Sequence, residues 1–266
     1  MTEARLDAAL AERGLARSRT HAASLIADGL VSVDGRAVVK ASARVRADQE
    51  LTVASNDHYV SRAAHKLLGA LEAFDVRVEG RTALDLGAST GGFSQVLLER
   101  GAATVIALDV GHGQLSSVLA SETRLVLVEG FNARNLTAES LAAASGVARR
   151  PDLVVGDLSF ISLSHILPPI VETAEEGSDV VLLIKPQFEV GRTGIREGIV
   201  RDAALRADAV AGVLWNAWDA GLGTAGLAPS PIVGGSGNRE YLVWLSAAKG
   251  SNPTEWLDQI TAMVGA

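Results

Sequence analysis

Asp85-Leu86-Gly87-Ala88-Ser89-Thr90-Gly91-Gly92-Phe93, DLGASTGGF, closes a short apolar run, Thr82 to Leu86, and opens an apolar-periodic segment, Phe93 to Leu98. The pattern is strand, tight turn, helix. Glycine and serine let the backbone come close to a ligand, a helix N-terminus offers free N–H donors, and an acid at the strand's end can hold an amine or a hydroxyl. The spacing acid-x-Gly-x-x-x-Gly-Gly is neither Gly-x-Gly-x-x-Gly nor a P-loop, so a nucleoside or amino-acid ligand is favoured over a phosphate. A plain βα turn with no ligand is the alternative.

Downstream of the turn, apolar runs at Thr104–Leu108, Leu125–Val128, Asp152–Val155 and Val180–Ile184 alternate with helical patterns, and two closing runs follow, including Tyr241–Leu245. This predicts a doubly wound α/β domain. In an open parallel sheet the carboxyl ends of the strands share one edge, so Asp85, Asp109, Asp157 and Lys185 should meet around one crevice. Asp109 lies 24 residues after Asp85 at the end of the second strand, where an acid can reach both hydroxyls of a ribose. A helix cap is its other reading. Lys66 sits off the centre of an apolar stripe, Ala64, Leu67, Leu68, Leu71, and by itself reads as a surface lysine. Glu240, after the polar turn Ser236-Gly237-Asn238-Arg239, either reaches the crevice or flanks a strand.

Composition excludes several chemistries. With no cysteine there is no disulfide, no thiolate metal site and no cysteine nucleophile, which removes methyl transfer to a pyrimidine carbon through a covalent adduct. Five scattered histidines without a His-x-x-x-His pair make a metal site unexpected. The chain has 48% apolar residues but no run of about 18 and no apolar signal core, so it reads as soluble, cytoplasmic and not membrane-bound. The net charge of −7 is uneven: residues 1–60 hold eight bases and eight acids, so the deficit lies downstream.

That balanced N-terminal segment reads as two short helices ahead of any strand, Arg5–Ala11 and Ser18 to Gly29, then Val31-Ser32-Val33, the turn pair Asp34-Gly35, a run through Val38-Val39, and Leu51–Val53. Arg13, Arg17, Arg19 and His21 gather without an acid, as a phosphate grip or as a solvated face. The order RLDAAL, Gly14, Ser18-Arg19, Ala22, Leu25-Ile26, Gly29, VSVDGR and Lys40 resembles the S-four-type RNA-binding domain of a ribosomal protein, pseudouridine synthases and tyrosyl-tRNA synthetases. The resemblance implies RNA contacts at Arg5, Arg17, Arg19 and Lys40, directed to the backbone and therefore salt-dependent. The expected division is 1–54 for this domain, 55–60 for a polar linker carrying His58 and Tyr59, and 61–266 for the α/β domain.

A glycine-rich first turn, a ribose-seeking acid and an RNA-binding attachment suggest S-adenosylmethionine as cofactor and RNA as substrate. Transfer to an exocyclic base nitrogen usually shows Asp/Asn-Pro-Pro-aromatic after the fourth strand, where this chain has Asp157-Leu158-Ser159-Phe160. A ribose 2′-hydroxyl remains. It must lose its proton as it attacks, and a lysine can take that proton if a second cation and desolvation favour one neutral amine. Lys66, Asp157, Lys185 and Glu240 match in order the Lys-Asp-Lys-Glu tetrad of the FtsJ-type 2′-O-ribose methyltransferases, which the sequence resembles.

Through SRAAHKL, DLGASTGGF, GDLSFISL, LIKPQFEVG and SGNREYLVWL the similarity is nearest to the TlyA family of ribosomal RNA cytidine 2′-O-methyltransferases, over nearly the whole chain. It implies a Rossmann-like class I methyltransferase with a mostly parallel seven-stranded sheet after a small α+β RNA-binding domain. It implies Lys185 as general base, Lys66 and Asp157 setting its charge state, and Glu240 placing the hydroxyl or Lys66. Asn132 would lie near the adenine, with Arg62 and Arg134 as further RNA contacts. The implied product is S-adenosylhomocysteine, and the implied target is cytidine in 16S rRNA alone or in both 16S and 23S rRNA, within ribosomal subunits. The family's loss causes resistance to capreomycin-type antibiotics, and the enzyme is expected to act as a monomer. The linker departs from the mycobacterial Arg-x-Trp-Val, having Asp57-His58-Tyr59-Val60. A non-catalytic ribosome-assembly binder and, from the family's haemolysin label, a membrane-active protein are the competing functions.

Overall fold

A computed structural model describes residues 3–16, 18–27, 29–53, 58–191, 195, 198–234 and 237–265, and the chain divides into two compact units, Met1–Tyr59 and Val60–Ala266. In the first unit, β1 (Glu3–Arg5) leads into α1 (Leu6–Glu12) and α2 (Arg19–Ala27), followed by β2 (Val31–Val33), β3 (Arg36–Ala37), β4 (Arg44–Arg46) and β5 (Leu51–Val53). β2 lies between β3 and β5, antiparallel to both. The turn joining β2 to β3 has Asp34 at φ 50° and Gly35 at φ 76°, the two left-handed residues that a tight hairpin requires. Leu6, Leu10, Leu25, Ile26, Val31 and Val45 fill the core.

Two expectations for this unit are corrected. A strand does precede the helices, because Glu3–Arg5 pairs antiparallel with β4; three residues carry no readable alternation, and the pairing partner lies far along the chain. The run at Val38-Val39 follows β3, with Val39 exposed. Residues 54–57, which take in half of the expected linker, and much of the glycine-rich stretch Val190 to Gly198 lie outside the described residues.

The second unit begins with α3 (Ala63–Ala73) and continues β6 (Thr82–Leu86), α4 (Gly92–Glu99), β7 (Thr104–Leu108), β8 (Leu125–Val128), α5 (Ala138–Ser145), β9 (Leu153–Gly156), α6 (Leu167–Thr173), β10 (Asp179–Ile184), α7 (Pro186–Glu189), α8 (Ala203–Asp219), β11 (Gly223–Pro229), β12 (Tyr241–Ser246) and α9 (Leu257–Gly265). These strands form a seven-stranded sheet in the order β11-β12-β10-β9-β6-β7-β8. β6 pairs in parallel with β7 and β9, β7 with β8, and β9 with β10, whereas β12 runs antiparallel to β10 and β11. The central strands are buried along their whole length, which is why they read as unbroken apolar runs rather than as alternations.

Strand order reverses between β6 and β9, so the crossovers leave in opposite directions and a crevice opens at their carboxyl ends. The reversed direction of β12 brings its first residues, not its last, to that edge. Glu240 therefore joins the ends of β6, β7, β9 and β10.

Candidate active site

The turn after β6 holds Gly87 and Gly91 at positive φ, 79° and 94°, and Ser89 at 48°. It forms one wall of a cavity of about 640 Å³ lined by Gly87, Ser89, Asp109, Asn132, Arg134 and Asp157 among others. Asp109 is fixed rather than loose: its carboxylate accepts from the Ser89 N–H at 2.8 Å and the Gly111 N–H at 2.7 Å. The remaining lone pairs are those a ribose diol could use. Asn132 caps the short turn after β8, accepting from the Arg134 N–H at 3.0 Å.

The other residues of DLGASTGGF serve the wall from behind. Asp85 is buried beneath the turn, with one carboxylate oxygen accepting from Ser94 Oγ at 2.7 Å and the other, Oδ1, buried without a partner. Burial pushes its carboxyl up to about 7, partly offset by the Ser94 hydrogen bonds. Gly92 is small for packing: a Cβ there would collide with Ser61 Oγ and stand 3.2 Å from the Ala64 backbone nitrogen. The start of α4 is thereby brought against the first turn of α3, the helix that carries Lys66. Ala88 and Phe93 are buried, and neither they nor Thr90, Gly91 and Gly92 line the cavity.

At the cavity's rim the four residues of the tetrad converge. Lys66 Nζ lies 3.0 Å from Asp157 Oδ2 and 2.8 Å from Glu240 Oε2, and Lys185 Nζ lies 2.7 Å from Asp157 Oδ1. Lys66, Lys185 and Glu240 are buried, so Lys66 is no surface lysine. Its partners lie too far along the chain for helical periodicity to reveal them. Burial alone would raise the Asp157 carboxyl, but Lys185 and then Lys66 outweigh it and hold it below the usual carboxylate range. Two cations share one carboxylate, and Glu240 supplies the second negative charge.

The loop after β9 and the helix α7 after β10 are tied together. Lys185 Nζ donates to Ser159 Oγ at 2.8 Å, Phe160 meets Phe188 with ring centroids 5.2 Å apart, and Glu189 accepts from Ser162 Oγ at 2.6 Å and the Leu163 N–H at 2.9 Å. Burial pushes the Glu189 carboxyl up. Phe160 is 90% exposed and holds φ at 64°, costly for an aromatic residue, where it lines the cavity. Gln114, Phe131, Leu158, Ser159 and Phe160 also line the cavity, though nothing in the sequence marks them as binding residues. The signal available was their place at strand ends.

In the first unit Arg5 and Arg19 both pair with Asp7, at 3.0 and 3.2 Å, yet stay 44% and 61% exposed. The Arg5 guanidinium, with Arg19 assisting, draws the Asp7 carboxyl down to about 2. Lys40 is exposed, while Arg17 lies outside the described residues. Arg62 is half-buried just before α3, and Arg134 lines the cavity.

The cavity suits a nucleoside bearing an amino acid. Its volume falls in the range of small-molecule sites, Asp109 is set for a diol, and the orphaned Asp85 Oδ1 is a buried acceptor close to the turn. Among the described residues no group of histidines or acids could hold a metal, and no helix is long and apolar enough to cross a membrane.

Comparison with known proteins agrees with this architecture. Residues 59–247 match the FtsJ-like methyltransferase model and residues 4–51 the S4 domain. The chain is 50% identical over 245 residues to the 16S/23S rRNA (cytidine-2′-O)-methyltransferase TlyA of Mycobacterium tuberculosis, covering 91% of this chain and 89% of that protein. It is 38% identical to Hemolysin A of Brachyspira hyodysenteriae over 90% of this chain and 98% of the other. A solved Streptococcus thermophilus structure that carries the name hemolysin superposes with a TM-score of 0.76 at 35% identity, covering 100% of this chain and 96% of the other.

Proposed function

The chain belongs to the FtsJ-like methyltransferase family, in its TlyA branch with an N-terminal S4 domain, and from that premise we propose that it methylates the ribose 2′-hydroxyl of cytidine in ribosomal RNA. Substrates are 16S rRNA and, as the second target, 23S rRNA, presented within ribosomal subunits in the cytoplasm. The observation that carries the reading is the Asp157 carboxylate shared by Lys66 and Lys185 beside a nucleoside-sized cavity. When bound, S-adenosylmethionine supplies an electrophilic methyl group on sulfur and leaves as S-adenosylhomocysteine.

Asp109 would hold the ribose diol and Asn132 would serve the adenine, with the turn backbone at Gly87 and Ser89 as the wall beside them. The buried Asp85, with its unpartnered Oδ1, would be the acceptor for the amino end. Lys185 takes the 2′-hydroxyl proton, Lys66 balances the charge of Asp157, and Glu240 fixes Lys66 from the other side. A placed base of this kind contributes roughly 10²–10⁴-fold in rate. With no cysteine in the chain, the ribose oxygen is the acceptor this set of groups serves.

Arg5, Arg19, Lys40 and Arg62, together with Arg17, contact RNA phosphates, and Arg134 bridges from the cofactor cavity towards the substrate. The test is to map 2′-O-methylation on ribosomes from cells with and without the protein. A cytidine mark that disappears from ribosomal RNA supports the proposal; an unchanged map would replace it with a non-catalytic assembly role.

A further inference from the structure

Lys185 Nζ is surrounded by three acceptors: Asp157 Oδ1 at 2.7 Å, Ser159 Oγ at 2.8 Å and the Asp157 backbone carbonyl at 3.4 Å. Three acceptors suit the three protons of an ammonium. A base, however, must arrive as the neutral amine, with two N–H donors and one lone pair. One partner must then change from acceptor to donor. The carbonyl oxygen never can. The Asp157 carboxyl keeps Lys66 Nζ at 3.0 Å when Lys185 is neutral, so it remains an acceptor. The charged groups around this cluster are Lys66 from α3, Asp85 from β6, Asp157 after β9 and Glu240 at the start of β12. Glu189, on α7, is engaged with Ser162 and Leu163. Asp85, pushed up to about 7 by burial, is engaged with Ser94 rather than with Lys185, and none of the others offers a neutral group able to reverse its polarity there. A hydroxyl does.

We propose that Ser159 is the positioning residue and proton relay for Lys185, holding its amine in either charge state and passing the ribose proton out to solvent. This rests on the ribose-methylation reading above. Ser159 is exposed and lines the cavity, and its hydroxyl has Lys185 as its one side-chain partner among the described residues. Before substrate arrives, the Ser159 O–H donates to the lone pair of neutral Lys185. When the 2′-hydroxyl donates to that lone pair, Ser159 Oγ turns aside and the two N–H groups stay on Asp157 Oδ1 and the Asp157 carbonyl; Ser159 accepts an N–H once Lys185 is an ammonium. As the O–CH3 bond forms and the S–CH3 bond breaks with its electron pair going to sulfur, the 2′-hydroxyl proton passes to Lys185 Nζ. The resulting ammonium returns to neutral by giving a proton to Ser159 Oγ while the serine's own proton leaves to bulk water. No atom or charge is left over, and no oxidant or second reactant is needed.

The side chain is small and exposed, so Ser159→Ala should fold, and unchanged S-adenosylmethionine affinity by calorimetry checks that it does. Full-length wild type, Ser159→Ala and Ser159→Thr are compared for methyl transfer to ribosomal subunits from pH 6 to pH 9.5. At neutral pH, Ser159→Ala should turn over about tenfold or more slowly, with KM for the cofactor within about twofold, and Ser159→Thr should recover most of the rate. The alanine deficit should shrink as pH rises, because hydroxide then does what the serine did. A Ser159→Ala rate equal to wild type would overturn the proposal. So would a deficit of constant size across pH that threonine does not repair, since that is the mark of a packing role. If wild type itself transfers no methyl group to ribose, the functional reading fails and the relay with it.

Discussion

Asp157 holds two lysines on one carboxylate, so each single substitution in the tetrad leaves a buried charge without its match. Removing one partner of a buried pair costs about 3–5 kcal/mol where nothing else compensates, and loss of activity in such variants has to be separated from loss of fold. Lys185→Ala is the cleanest case because Lys66 remains to balance Asp157. It should bind S-adenosylmethionine within a few-fold of wild type and lose at least about 100-fold in methyl transfer, as calorimetry and tritium transfer would register. Undiminished turnover would remove the general base from Lys185. Asp85 yields a prediction in pH. Its folded carboxyl titrates at about 7, whereas an unfolded aspartate titrates near 4, so the native state holds the proton more tightly. Its contribution to stability is complete below about pH 4 and is lost as pH rises through 7. Asp85→Asn removes that titration. Its stability relative to wild type should improve between pH 5 and pH 8, by at most about 3 kcal/mol, and parallel urea curves at the two pH values would contradict this.

Elements rather than isolated residues set the catalytic loops. Glu189 on α7 grips Ser162 and Leu163, while Lys185 and Phe188 of the same segment meet Ser159 and Phe160. Glu189→Ala should therefore lower stability by about 1–3 kcal/mol in urea unfolding and reduce kcat more than cofactor affinity. Glu189→Gln, which keeps one acceptor, should fall between; equal kcat in all three proteins would show that the loops hold without this link. Gly92→Ala acts through packing, forcing α4 away from the first turn of α3 at a cost of about 1–3 kcal/mol, read as a lowered Tm. The sheet strands could be read from the sequence because both of their faces are buried and their runs are continuous. The glycine turn could be read too, but not the division of labour inside it. Gly92 looked like a ligand glycine because the steric demand comes from Ser61 and Ala64, which nothing local announces. β1 is illegible in the sequence for the same reason: three residues have no period, and only pairing with β4 makes them a strand.

For the whole molecule, charge is distributed unevenly, with the acidic surplus confined to the methyltransferase unit and Arg5, Arg19 and Lys40 exposed on the RNA-binding unit. Arg19→Ala or Lys40→Ala should each weaken binding to ribosomal RNA at low salt and reduce the slope of log affinity against log salt by about one. An unchanged slope would place these side chains off the RNA. The tetrad itself was legible only through family likeness. Periodicity assigned Lys66 to the surface and left Glu240 undecided, because their burial depends on strands that meet in space and not in sequence. The reversed direction of β12 also bears on when the protein can work during its own synthesis. Lys66, Asp157 and Lys185 leave the ribosome before Glu240, and β10 and β11 have no common neighbour until Tyr241–Ser246 arrives between them. A nascent chain that has reached Lys185 still lacks the acid beside Lys66 and the strand that joins β11 to β10. Chains that stop short of Glu240 are expected to transfer no methyl group, which an assay of a chain ending at residue 239 would check.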